Sequence, residues 1–199
     1  MPTGVAIRDV REQLFGAAER VLLRDGANAL TSRAVTTEAG CAKGVLHKHF
    51  ADFDAFLAEF VLDRIARLDE RTAGLRDAAG TGTVADNLTG ALTALFASVA
   101  LALVGLIAAR DELRARLRRD LPAGVPVLTE AAELIAGYLA AERDLGRVAA
   151  GADVETLAAM LIGATHLRYA DAPPDPATVR RIVATVIATA GRPPMEGLR

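Results

Sequence analysis

Residues Thr31 to Leu57 read TSRAVTTEAGCAKGVLHKHFADFDAFL, and this stretch decides the fold. Thr31 and Ser32 are both suited to cap a short helix running to Ala39, because a hydroxyl oxygen accepts from the free N–H groups of a first helical turn. Gly40 stops that helix by accepting a left-handed backbone. After Gly40-Cys41-Ala42 a second short segment, Lys43 to His49, turns Val45 and Leu46 inward and ends near Phe50. Two short helices joined by a glycine turn form a helix-turn-helix, here over 31–50. Upstream, Val10, Leu14, Ala18, Val21 and Leu22 recur at three- and four-residue steps from Ile7 to Asp25, with Gly26 following, which predicts a first helix. Downstream, Asp52 is placed to cap a long helix from Phe53 to about Leu75, with Phe56, Leu57, Phe60, Val61, Ile65 and Leu68 on one face.

The remainder is helical in pattern as well. Ala79-Gly80-Thr81-Gly82 interrupts the long helix, and Thr83 with Asp86 three residues on resembles a capping box that opens the next. From Asn87 to Ala109 no residue is charged, a run of 23 positions that nominally reaches the length of a membrane span. Asn87, Thr89, Thr93, Ser98, Gly90 and Gly105 within it favour a central helix of a soluble domain, broken near Ala100 and apolar on every side. Arg110 to Asp120 keeps a stripe of Leu113, Leu117 and Leu121 on an otherwise charged helix, ended by Pro122, Gly124 and Pro126. Helices are predicted from Val127 to about Arg143, from a cap at Asp153 to about Tyr169, and, after Pro173-Pro174, from Asp175-Pro176 onward. No segment alternates strictly with a period of two, so the expected class is all-α. The expected domains are a DNA-binding domain over 8–68 and a helical ligand-binding and dimerisation domain over 69–199.

Composition narrows the function. The 199 residues are 52% hydrophobic and 4% aromatic, without Trp, which suits a helical core. A single cysteine, Cys41, excludes an intrachain disulfide, and with three histidines it cannot build a Cys-based zinc finger. The charged start (Arg8, Asp9, Arg11, Glu12) lacks the apolar stretch of a signal peptide, so a cytoplasmic protein is expected, with no membrane partner. The net charge of −2 is uneven: residues 1–50 carry seven basic and five acidic side chains, a net +2, leaving −4 for the rest. The only two lysines, Lys43 and Lys48, sit beside His47 and His49, as on a surface that faces phosphate.

In a helix-turn-helix the first helix crosses the DNA backbone and the second enters the major groove. Thr31, Ser32 and Arg33 are therefore the candidates for phosphate contacts, aided by the helix dipole, and set orientation rather than sequence. Lys43, Gly44, Val45, His47, Lys48 and His49 are the candidates for the groove: lysine reaches phosphate or guanine, glycine permits close approach, and Val45 can touch a thymine methyl. His47 and His49 do not suit one metal ion, because residues two apart on a helix point about 200° apart.

At these residues the chain resembles the TetR/AcrR family signature, through Ala39-Gly40, Lys43-Gly44, Leu46, Lys48-His49-Phe50 and the start of the fourth helix. The resemblance covers about the first third of the chain. It implies a homodimer whose C-terminal helices form a ligand cavity and a four-helix interface, and whose ligand releases DNA. Four positions depart from the signature. Ala42 replaces a capping Ser worth about 1 kcal/mol; Val45 and His47 replace Thr and Tyr; Phe53 stands where a phosphate-binding Lys is common.

The C-terminal half contains no catalytic constellation, neither a Gly-x-Ser-x-Gly elbow nor a phosphate loop, so no enzyme and no cofactor or metal is expected. An apolar pocket bordered by Phe60, Leu92, Phe96, Val99, Leu103, Ile107, Leu117 and Tyr138 is the expected ligand site, with Arg64 and Tyr138 orienting a polar head; solid core is the alternative for each residue. The expected partners are double-stranded operator DNA, an apolar small-molecule effector, and a second copy met through helices 127–143 and 154–169. Competing readings are a small-molecule-binding protein of the same fold with weakened or lost DNA binding, and a membrane-associated helical protein.

Overall fold

The computed structural model describes residues 3–121, 124–169 and 175–190. Among them are ten α-helices, one 3-10 turn and no strand: α1 (Thr3–Asp25), the turn Ala27–Ala29, α2 (Ser32–Glu38), α3 (Val45–His49), α4 (Phe53–Asp77), α5 (Val84–Phe96), α6 (Ala100–Ala108), α7 (Asp111–Leu117), α8 (Leu128–Asp144), α9 (Val154–Tyr169) and α10 (Pro176–Ala190). The all-α reading therefore holds. The breaks expected at Pro122 and Pro173-Pro174 lie outside the described residues.

The chain forms two compact units. One comprises residues 1–66 and 99–127, the other 67–98 and 128–199. α4 runs through the first boundary, and the uncharged run is divided between the units, with α5 ending at Phe96 and α6 starting at Ala100. The break near Ala100 is thus present, and among the described residues no single helix is long and apolar enough to cross a membrane; α5 and α6 reach that length only together, across their break.

In the first unit, Phe15, Phe50, Phe56 and Phe60 are buried as one cluster, with Phe50 meeting Phe56 edge-on at 5.0 Å. The remaining apolar face of α1, Leu14, Val21 and Leu22, closes over Leu30, Val35 and Leu46 in the same core. Burying each such side chain is worth roughly 1.5–3 kcal/mol, so the reading head carries its own core. α7 is tied to the start of α4, where Arg116 pairs with Asp52 at 2.8 Å and Arg110 with Asp54 at 3.6 Å; Arg110 also donates to the Leu30 carbonyl.

In the second unit α8 packs on α9, and α10 on both α5 and α9. Leu88, Leu92, Leu139, Leu161 and Val183 are buried there. Each of three helices opens on a side-chain cap: Thr83 accepts from the Asp86 amide, Asp153 from Thr156 and Asp175 from Thr178. Thr83 also donates its hydroxyl to the Asp86 carboxylate, a reciprocal arrangement that the sequence spacing predicts.

Candidate nucleic-acid interface

The geometry begins at α2. Thr31 accepts from the Ala34 amide at 3.1 Å and so fixes the first turn. The helix ends in a double closure in which Gly40 N–H bonds Thr37 O and Cys41 N–H bonds Thr36 O. That closure requires the left-handed backbone that Gly40 takes, at φ +65°. Gln13 donates to the Ala39 carbonyl at 2.7 Å, which locks the turn onto α1. α3 starts at Val45, two residues later than its sequence pattern suggests. Neither Ala42 nor Gly44 supplies a side-chain cap, so Lys43 and Gly44 sit in the turn that leads into the helix.

This framework sets each candidate side chain. Leu46 is fully buried and anchors α3, Val45 and His49 are half-buried, and Lys43, Gly44, His47 and Lys48 are exposed. On α2, Thr31 and Arg33 are exposed and Ser32 is half-buried, its hydroxyl oxygen making no hydrogen bond within the described residues. No carboxylate among the described residues pairs with Arg33, Lys43 or Lys48. Their positive charge is therefore not neutralised within the unit.

A neighbouring group of charges behaves differently. Glu38 accepts from Arg20 at 2.7 Å and from Arg24 at 2.9 Å. The Arg20 hydrogen bond, then that of Arg24, holds the Glu38 carboxyl below the usual carboxylate range. Arg24 is held further in its charged form by Asp25 and Glu38. Arg24, Arg33, Thr31 and Glu38 line one open concavity where α1 meets α2. The sequence reading passed over Arg20, Arg24 and Glu38; their signal is an i, i+4 arginine pair on α1, which needs the fold to meet an acid on α2. Phe53 stacks on Phe56 at 5.7 Å with the Arg110 guanidinium 5.4 Å from its ring, so this position contributes packing.

The candidate ligand residues fall in different places. Phe60, Val99, Leu103, Ile107 and Leu117 are buried in the first unit, and Leu92, Phe96 and Tyr138 in the second. Arg64 is buried, pairs with Glu19 at 2.5 Å and with Asp63, and lies 5.1 Å from the Phe60 ring centre. Tyr138 donates to Glu142 at 2.6 Å and accepts from Asn87 at 3.0 Å. Burial, then the bond to Glu142, pushes its phenol up to about 12. A cavity of about 380 Å³ in the second unit is walled instead by α4 residues such as Gly74 and Leu75 and by α5 residues such as Asn87, Gly90, Ala91 and Ala94. The sequence signal for that cavity is a face of small residues, since space is left where side chains are short.

Residues 14–60, which contain the whole helix-turn-helix, match the family model of the bacterial regulatory proteins of the tetR family. Solved structures share the fold along nearly the full chain. A TetR-family transcriptional regulator from Mesorhizobium loti superposes with a TM-score of 0.69 at 16% identity, over 92% of this chain and 95% of that one. The fatty acid degradation regulator FadR from Bacillus halodurans gives 0.65 at 18% identity, over 89% and 94%. A TetR transcription regulator from Haloarcula marismortui gives 0.65 at 17%, over 92% and 98%. A tetR-family DNA-binding segment, set in the fold those regulators share, makes this a DNA-binding transcriptional regulator of the tetR type. No curated protein matches the chain in sequence.

Proposed function

We propose that the protein is a ligand-responsive repressor that holds a near-palindromic operator as a homodimer and leaves it when a small molecule binds. The observation that carries this reading is the set of unneutralised cations, Arg33, Lys43 and Lys48, on the face of the family-matched helix-turn-helix. Thr31, Ser32 and Arg33 grip phosphate. Lys43, Gly44, Val45, His47, Lys48 and His49 approach the groove, with Leu46 fixing their rotation. Such regulators are generally not enzymes, and the proposed work is binding alone.

Dimerisation is supported by α9, where Ala159, Met160, Gly163, Ala164 and Leu167 form an exposed apolar face, Leu167 being 84% exposed. From α8 the exposed Gly137 adds a point of close approach. Two heads on such a dimer should read half-sites about 34–36 Å apart. The effector acts only through different affinities for the DNA-bound and released states, since equal affinity shifts nothing.

Selection of bound sequences from a random DNA pool, followed by footprinting, tests this reading. Two protected half-sites at that spacing support it; equal binding of selected and random DNA at low salt refutes it.

Phe53, engaged with Phe56 and Arg110, favours a second reading: a small-molecule-binding protein of this fold with weakened or lost DNA binding. If Lys43→Ala and Lys48→Ala change neither DNA binding nor reporter output, that reading gains.

A further inference from the structure

The second unit's cavity has a one-sided hydrogen-bonding character. Its wall is otherwise aliphatic, and the polar side chains among its described lining residues are Asp86, Asn87 and Ser98. A narrow slot sharing Leu68 and Leu75 with it runs on to Glu130 of α8. The donors in this group are already spent. Ser98 donates to the Leu95 carbonyl, and the Asp86 and Asn87 amides both bond Thr83.

The orientation of the Asn87 amide follows from its neighbours. Glu142 is fully buried and takes the Tyr138 hydroxyl proton, so the Tyr138 oxygen accepts from Asn87 Nδ2, which also donates to the Thr81 carbonyl at 2.9 Å. The amide therefore keeps its Oδ1 as the unspent group. Asp86 and Glu130 add carboxylate oxygens, although Arg180 already pairs with Asp86 at 2.5 Å. The described lining thus accepts hydrogen bonds and gives none.

We propose that this cavity takes a small aliphatic amphiphile whose polar end donates hydrogen bonds, an amine or an alcohol, and rejects the carboxylate of the same chain length. The inference rests on the effector-binding reading above and names the chemistry of its ligand. A carboxylate placed there loses its water, finds no described donor and faces Asp86 and Glu130. An ammonium or hydroxyl meets Asn87 Oδ1 and carboxylate oxygens instead. The volume of about 380 Å³ is within the range of small-molecule sites.

Octylamine, 1-octanol and octanoate form a matched set of probes for calorimetric titration of the full chain. The amine and the alcohol should bind saturably and at least about tenfold tighter than octanoate. Gly90→Phe should abolish that binding. A side chain begun at Gly90 meets no atom within 4 Å, so the variant should keep its fold, and Ala94→Leu serves as a second block if it does not. Octanoate binding as tightly as octylamine, no saturable binding of the amine or alcohol, or binding indifferent to both blocking variants would overturn the inference. Operator binding by the same preparations tests the regulator reading separately, so a failure of the ligand chemistry is distinguishable from a failure of that reading.

Discussion

Asp52 shows how much one side chain does in the reading head. It caps α4 by accepting from the Ala55 amide at 2.7 Å and holds Arg116 from α7. The Ala55 bond first, with Arg116 adding to it, lowers its carboxyl below the ordinary range. A carboxyl depressed in the folded state contributes fully above its unfolded value, near 3.9, and loses that contribution as pH falls through its folded value. Unfolding by urea at pH 7 and pH 3 should therefore show a smaller stability difference in Asp52→Asn than in the parent; an unchanged difference would contradict this. Glu38 offers a second case. Glu38→Gln should release Arg20 and Arg24 toward DNA, giving tighter binding and a steeper salt dependence in anisotropy titrations. At this scale, local chemistry was legible in the sequence wherever partners are near in the chain, as with Thr83 and Asp86. Tyr138 and Arg64 were not legible in the same way, because the groups that occupy them, Asn87 and Glu19, are 51 and 45 residues away.

Two glycines separate backbone need from empty space at the scale of elements. Gly40 has φ +65° and nothing near a would-be Cβ, so the cost of Gly40→Ala is that of a left-handed residue, about 1–2 kcal/mol. Gly90 lies inside α5 with room around it, and Gly90→Ala should stabilise the protein by roughly 0.5–1 kcal/mol. Thermal unfolding of the two variants should shift in opposite directions. Helix positions follow the apolar period because burial enforces it, whereas ends depend on caps. α3 begins late for that reason, having Ala42 and Gly44 where a hydroxyl cap is absent. The cavity escaped the sequence reading on similar grounds: a search for large apolar side chains finds core, and Gly90, Ala91 and Ala94 mark the space.

For the whole molecule, the family-like head was legible because its residue types are fixed by a turn, two caps and a packed face. The partition of the chain was not. A linear boundary at 68 expresses sequence order, while the structure gathers 99–127 into the same unit as 1–66 through contacts such as Arg110 with Leu30 and Arg116 with Asp52. Assembly turns on the exposed face of α9. Leu167→Glu should shift the protein toward monomer in light scattering and weaken operator binding with it, because two linked heads bind far more tightly than one. The central claim, that this face of the helix-turn-helix holds DNA, is tested most directly by the salt dependence of operator binding for the parent, Lys43→Ala and Lys48→Ala. Each substitution should weaken binding and reduce the slope of log affinity against log salt by about one; slopes and affinities equal to the parent's would contradict it.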